Sequence, residues 1–193
     1  MKPLSASFTI PGSRSKWSVW ALFGTRTQSG LDTLKNIFPA PGFVQILPPH
    51  AVASLDHVAW ACFSVVNSLH SPLLSPSAPS SPSASPSSSP PSSRSSSPRF
   101  SNPALALLCY MAGVSQWEEA KRLVGVRARD TEVLLVACGP SSLLSSSTFT
   151  SRVTEWGLTP SSPQWSVVAS IPPAWSRGAE SWHIEQSALM ETR

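Results

Sequence analysis

Charged side chains are scarce in this chain: Asp, Glu, Lys and Arg make up 12% of its 193 residues, about half the share of a typical soluble domain. Basic residues outnumber acidic ones by 14 to 10, which gives a net charge of +4. So small an excess permits a nucleic acid or an acidic partner but does not require either. The partner class therefore has to be inferred from local patterns.

Cysteine and histidine are few, and their spacing argues against a metal centre. The three cysteines lie in separate apolar runs, and no two have CxxC spacing: Cys62, Cys109 and Cys138. This predicts buried, reduced thiols and a reducing compartment. The histidines form no ligand pattern with cysteines or carboxylates: His50, His57, His70 and His183. No metal or other cofactor is expected, and His57 is expected at the surface or at a helix cap.

Catalytic and membrane signatures are missing as well. The sequence has no Gly-x-Ser-x-Gly motif and no glycine-rich phosphate loop. Its longest apolar run, residues 58–66, is about half a membrane span. The neighbours Glu118 and Glu119 face different ways on a predicted helix, so we expect both in solvent. We therefore expect no enzyme activity, no small-molecule substrate and no membrane insertion.

Residues 71–98 form a Ser/Pro tract in which 23 of 28 positions are serine or proline. Such a segment has little apolar area to offset the entropy cost of ordering, so residues 71–100 are predicted to be a disordered insert. About 160 residues remain, enough for one core of moderate size. The tract is either a passive insert or a target of proline-directed phosphorylation at its six Ser-Pro steps: Ser71, Ser75, Ser81, Ser85, Ser89 and Ser97.

Before the insert, two short apolar runs predict strands and two amphipathic segments predict helices. Their order is strand 17–23, helix 29–38, strand 43–47 and helix 54–69. The last of these is the longest helix, and its apolar residues form one continuous stripe. Trp60 lies off that stripe and is expected to flank the core, with contact to a partner as the alternative.

After the insert, the predicted order is strand 104–111, helix 115–124, strand 133–139, helix 148–157, strand 165–171 and helix 180–193. The first helix of this half should begin with a capping box from Ser115 to Glu118 and end at a left-handed Gly125. Its buried face should consist of Trp117, Ala120, Leu123 and Val124. The strand at 133–139 is apolar on both faces and should be central. The element order predicts an α+β fold with α/β-like layers, in which helices flank a mixed β-sheet.

Four segments carry a resemblance to a known family. They read VWALFGTRTQSGLDTLK, FVQILPPHAVASLDHVAWA, YMAGVSQWEEAKRLVGV and DTEVLLVACG. They resemble the small kinase-binding subunit of the KEOPS (EKC) complex, the TPRKB-like family. The first segment is similar to the opening strand and helix of that family, and the second to its second block. The third is similar to its central signature of strand, turn and helix, and the fourth to the strand that follows. The resemblance covers most of residues 17–139 apart from the insert. It implies a flexible N-terminus at 1–16 and one domain in two parts, 17–70 and 101–193, divergent after 139.

Members of that family bind the kinase/ATPase subunit of KEOPS and support its activity, while another subunit transfers the threonylcarbamoyl group to tRNA. The resemblance therefore implies a non-catalytic accessory subunit in the cytoplasm or nucleus, with the kinase subunit as its partner and tRNA as a second one. The kinase contact is expected on the last predicted helix, at Ile184, Leu189 and Met190. Contacts to tRNA phosphates are expected at the densest basic group, Lys121, Arg122, Arg127 and Arg129.

Each of these expectations has an alternative. The last-helix residues could pack into the chain's own core, and the basic group could simply be solvated. The chain could act as a phosphorylation-regulated interaction protein through its Ser/Pro tract. It could also be a degenerate product of a subunit gene, since it has eight tryptophans against one tyrosine. A basic segment without acidic residues before Asp32 is also typical of an organelle-targeting peptide.

Overall fold

The computed structural model describes residues 2–11, 14–26, 38, 41–70, 101–163 and 165. Five strands form one antiparallel sheet, and helices pack on both of its faces. The predicted α+β class is confirmed. The expectation of a mixed sheet is wrong, because every strand pair of the described residues is antiparallel.

The sheet has the spatial order β1-β2-β4-β3, and β5 pairs with the end of β2 beside β1. The strands are β1 (Leu4–Thr9), β2 (Lys16–Arg26), β3 (Phe43–Leu47), β4 (Glu132–Pro140) and β5 (Leu158–Pro160). Strand β4 lies between β2 and β3, and its residues 133–139 are all buried. The sequence prediction of a central strand here is confirmed, since only a strand covered on both faces can be apolar at every position.

In the described part of the chain, four α-helices cover the sheet. They are α1 (Leu55–His70), α2 (Pro103–Ala112), α3 (Trp117–Val124) and α4 (Ser146–Trp156). Helices α1, α2 and α3 contribute to the core on one face, and α4 contributes to the core on the other. Side chains of β4 alternate between the two cores, with Leu134 and Val136 in the first and Val133 and Leu135 in the second, as the period of two in a strand requires.

Helix α1 confirms the longest predicted helix. Its apolar stripe is buried at Val58, Ala61, Cys62, Val65 and Val66, whereas the last residue of the predicted stripe, Leu69, is exposed. His57 was expected at the surface or at a helix cap; the surface position is wrong, because its side chain is fully buried, whereas its place at the start of the helix agrees with a cap. The Nδ1 atom of His57 accepts the N–H of Ala53 at 3.4 Å. This contact belongs to the turn that leads into the helix. Trp60 is partly buried beside Phe63, with 5.6 Å between ring centroids.

The segment 104–111 is a helix, so its prediction as a strand is wrong. Asn102 caps this helix, because its Oδ1 accepts the N–H groups of Ala104 and Leu105. Pro103 occupies the first turn, and Gly113 ends the helix with a left-handed φ of 66°. The segment is apolar all round because it packs in the core of the helical face. Periodicity cannot distinguish such a helix from a buried strand, although the segment contains no β-branched residue.

Helix α3 is confirmed, but its predicted ends differ. Its N-cap is Gln116, which makes no side-chain capping bond, so the expected box from Ser115 is not formed. Gly125 has an ordinary φ of −79° rather than a left-handed one. Glycine is still required there, because a Cβ atom would lie 2.2 Å from the carbonyl oxygen of Lys121.

Strand β1 lies in the segment that the sequence analysis assigned to a flexible N-terminus. It pairs with β2 over six residues, from Leu4 opposite Ala21 to Thr9 opposite Lys16. A strand signal is present, because Leu4, Ala6 and Phe8 alternate with serines and a threonine that are exposed. Helix α4 confirms the helix predicted at 148–157. The helices predicted at 29–38 and 180–193 and the strand at 165–171 lie outside the described residues, except for Phe38 and Trp165.

The three cysteines are free and buried, as predicted. Burial raises the pKa of the Cys109 thiol to about 11. Burial also raises the pKa of the Cys138 thiol. A hydrogen bond to Cys62 and charge repulsion with it raise this pKa further. The neutral thiols of Cys109 and Cys138 are therefore the form that the fold stabilises.

We expect the insert to contribute little to the stability of the domain. Helix α1 ends in its own bond between His70 Nδ1 and the carbonyl of Val66, and α2 begins with the Asn102 cap. Replacing residues 71–100 with about ten Gly and Ser residues should therefore shift Tm by less than about 3 °C. Thermal unfolding followed by circular dichroism measures this. A chain with the tract shuffled is the control, and a fall of about 10 °C on replacement would show that the insert supports the core.

We expect the thiols to react slowly in the folded chain. With its pKa near 11, Cys109 has about a hundredfold less thiolate at pH 8 than a thiol of pKa 9. Iodoacetamide labelling followed by mass spectrometry should show slow labelling that becomes rapid in guanidinium chloride. Because folding raises this pKa, the stability contribution is complete below pH 9 and is lost as the pH rises through 11. In the Cys109→Ala variant, the loss of stability that comes from this thiol should be absent. If the unfolding free energy of the variant and of the wild-type chain depends on pH in the same way, the loss does not come from Cys109.

Candidate interface on helix α3 and the loop that follows

The outer face of α3 is apolar and basic at once. Ala120 and Val124 are the only residues of this helix that are buried. The small side chain of Ala120 lets the helix lie close against the core. Trp117 and Leu123, which the sequence analysis expected in the core, are 46% and 47% exposed. The Nζ atom of Lys121 lies 5.8 Å from the centroid of the Trp117 ring, within range of a cation–π contact. Half-exposed aromatic and aliphatic side chains beside a cation are typical of protein interfaces.

The loop between α3 and β4 displays two arginines. Arg127 and Arg129 are both exposed, and the loop backbone around them closes on itself. The Arg127 N–H donates to Oδ2 of Asp130 at 2.7 Å. In return, the Asp130 N–H donates to the Arg127 carbonyl at 3.1 Å. These two bonds fix a tight turn across residues 127–130, which we call the arginine loop.

Arg26, at the end of β2, hydrogen-bonds to the backbone of the arginine loop. Its Nε donates to the Asp130 carbonyl at 2.9 Å. Its guanidinium NH2 donates to the carbonyls of Arg127 at 3.0 Å and Ala128 at 2.9 Å. The sequence analysis assigned no role to Arg26. No local signal could have found this role, because the partners are more than 100 residues apart in the chain.

A polar groove borders the arginine loop. It has a volume of about 370 Å³ and lies between the turn after β3 and the start of β4. Its lining consists of Pro48, Pro49, His50, Arg129, Asp130, Thr131 and Glu132. The volume falls within the range of small-ligand sites, about 300 to 1,000 Å³. The groove is open and carries charges of both signs, so it suits a polar, partly solvated group.

The structure places the four basic residues of the sequence prediction on consecutive elements. Lys121 and Arg122 are exposed on α3, and Arg127 and Arg129 are exposed in the arginine loop. Their exposure makes all four available for contact with a phosphate backbone. The residues predicted to contact a kinase lie outside the described part of the chain: Ile184, Leu189 and Met190.

A second, apolar cavity of about 100 Å³ lies between the end of β4 and α4, with Phe38, Leu144 and Arg152 among its lining. Its volume is below the range of small-ligand sites. Within residues 2–11, 14–26, 41–70 and 101–163, no three His, Cys, Asp or Glu side chains are grouped to hold a metal ion. In the same part of the chain, no helix is long and apolar enough to cross a membrane.

Comparison with known proteins adds no relative to this picture. No protein-family model matches the chain, and no curated protein matches its sequence. The resemblance to the KEOPS subunit therefore rests on the four sequence segments alone.

The exposure of α3 leads to a prediction about stability. Leu123→Ala should cost less than about 1 kcal/mol of unfolding free energy, because that side chain is half exposed. Phe149→Ala, at a fully buried position, should cost about 3–5 kcal/mol. Urea unfolding of both variants measures the difference. Equal losses would mean that Leu123 is covered in the folded chain.

Proposed function

We propose that the chain is a non-catalytic accessory subunit of the KEOPS (EKC) complex, acting in the cytoplasm or nucleus. In this role it binds the kinase/ATPase subunit and supports its activity in the synthesis of N6-threonylcarbamoyladenosine in tRNA. Contact with tRNA is the second part of the proposal. The observation that carries it is the joint arrangement of the four segments that resemble the family.

These four segments contribute to one continuous structural unit. The first provides β2, the second provides β3 with the start of α1, the third provides the end of α2 with α3, and the fourth provides β4. Strands β2, β4 and β3 are neighbours in the sheet. Helices α1, α2 and α3 cover the same face of that sheet. The four segments therefore belong to one folded unit, which is consistent with their resemblance to a single family.

One part of the resemblance needs correction. The third segment was expected to contain a strand, a polar turn and a helix. In the structure it contains the end of helix α2, the turn at Gly113 and helix α3. The turn and the second helix agree with the expectation, whereas the first element does not.

The proposed kinase contact includes the residues expected on the last predicted helix, Ile184, Leu189 and Met190. The described residues add the outer face of α3 as a second candidate surface. Trp117 and Leu123 offer apolar area there, and tryptophan is enriched among the residues that dominate binding energy at interfaces. The two surfaces can be separated by mutation.

We expect the chain to co-migrate with the KEOPS kinase subunit in size-exclusion chromatography after co-expression. Two double variants test the surfaces: Trp117→Ala with Leu123→Ala, and Ile184→Asp with Leu189→Asp. Loss of the complex peak for either one, with an unchanged circular dichroism spectrum, identifies the contact. A loss of affinity of at least tenfold is expected at the surface that is used.

Two controls complete this experiment. Arg152→Gln removes an exposed ion pair with Glu155 on α4 and should leave co-migration unchanged. A chain in which a short linker replaces residues 71–100 should also bind. If the wild-type chain is folded and does not co-migrate, the kinase-binding proposal is wrong. If only the chain without the tract fails, the Ser/Pro tract is the interacting part.

A further inference from the structure

The Arg26 side chain makes an unusual set of contacts for a strand residue. We propose that Arg26 is the positioning residue of the arginine loop, and that it holds Arg127 and Arg129 in place for a phosphate group of an RNA strand. This inference rests on the tRNA-binding part of the proposed function. It adds a residue that a search for exposed basic side chains would not select for this role.

The first step is the direction of the loop's carbonyl groups. Three carbonyl oxygens, those of Arg127, Ala128 and Asp130, accept bonds from the one guanidinium of Arg26. A carbonyl oxygen carries partial negative charge and repels an anion. Because these three oxygens are turned toward Arg26 and neutralised there, the opposite side of the loop is left more favourable to a phosphate.

The second step is the rigidity of the loop. Besides the three bonds from the Arg26 side chain, the Arg26 N–H donates to the Thr131 carbonyl at 2.9 Å. The Asp130 carboxylate adds its bond to the Arg127 N–H. The backbone that carries the two exposed arginines is therefore ordered before a ligand arrives. A loop ordered in advance loses less conformational entropy on binding, which raises affinity without any new contact.

The third step is the neighbouring groove. Arg129 lines it together with His50 and Glu132, so a phosphate held by the loop has room beside it for the adjoining sugar. Asp130 already uses its Oδ2 on the Arg127 N–H, whereas Glu132 is exposed at the start of β4. A phosphate backbone that crosses the groove is repelled by Glu132. Glu132→Gln should therefore bind RNA more tightly than the wild-type chain does.

The test uses the full chain and a fluorescein-labelled tRNA transcript that reads a codon starting with adenosine. Fluorescence anisotropy at several salt concentrations gives Kd and its salt dependence. The double variant Arg127→Gln with Arg129→Gln should bind at least about tenfold more weakly and should lower the salt slope by about two. Arg26→Lys keeps the charge but replaces the planar fork of donors. It should weaken binding about fivefold and lower the slope by about one, because an arginine loses its register.

A charge-matched pair at Asp130 separates loop shape from loop charge. Asp130→Asn removes the negative charge but keeps an oxygen that can accept the Arg127 N–H, as asparagine does in such turns. Asp130→Ala removes the charge and the acceptor together. Simple electrostatics predicts equal gains in RNA affinity for the two variants. The positioning proposal predicts that Asp130→Ala binds at least about threefold more weakly than Asp130→Asn.

Each outcome has a definite meaning. Arg152→Lys is the control for an arginine outside the loop and should bind like the wild-type chain. In one outcome the double variant binds weakly, whereas Arg26→Lys binds like the wild-type chain and the two Asp130 variants bind equally well. In that case Arg26 has no positioning role, although the loop still contacts RNA. If the double variant binds the tRNA as tightly as the wild-type chain does, this inference is wrong. It is also wrong if the folded wild-type chain does not bind the tRNA. Kinase binding is judged separately by co-migration.

Should Arg26→Lys fail to fold, the Asp130 pair still tests the premise that an ordered loop raises RNA affinity, because Asp130 lies in the loop rather than in the core. Hydrogen exchange at residues 127–131 provides the structural readout. Faster exchange in Asp130→Ala than in Asp130→Asn, together with weaker RNA binding, supports the proposal. Faster exchange with unchanged binding overturns it.

Discussion

The fold depends on strand β4, which is covered on both faces and paired on both edges. All seven residues at 133–139 are buried, and β2 and β3 hydrogen-bond to its two sides. A strand of this kind needs two separate apolar layers, so the chain must supply helices to both faces of the sheet. The three helices of one face and the single helix α4 of the other meet that need. The exposed outer face of α3 is a by-product, because this short helix buries only the narrow stripe of Ala120 and Val124.

Sequence patterns predicted those elements whose signals are local. The strands at 17–23, 43–47 and 133–139, the helix α1 and the helix α4 all follow from apolar periodicity and from the residues that bound them. The pattern failed at 104–111, where a helix buried on nearly every side looks the same as a buried strand. It also failed at β1, where Leu4, Ala6 and Phe8 do alternate with polar residues, but over only three apolar positions in a segment rich in serine.

The candidate site was predictable only in part, and the reason is again distance along the chain. Arg127 and Arg129 stand out in the sequence as a local basic group. The role of Arg26 depends on the pairing of β2 with β4, which joins residues such as Thr25 and Glu132. No spacing within a short window reports such a contact. The exposure of Trp117 was missed for a related reason. Helical periodicity places Trp117 on the apolar side of α3, but it cannot report that α1 and α2 supply most of the helical residues in the core on this face.

The pairing of β2 with β4 also sets the order in which the chain can fold. Gly24 pairs with Val133, so the centre of the sheet closes only after most of the chain has left the ribosome. Until then β2 has exposed apolar side chains and no central partner, which makes the growing chain prone to aggregation. The insert at residues 71–100 lies inside this closing loop. Its 30 residues add only on the order of 0.3 kcal/mol to the closure entropy, so a long and polar insert is a small burden on folding.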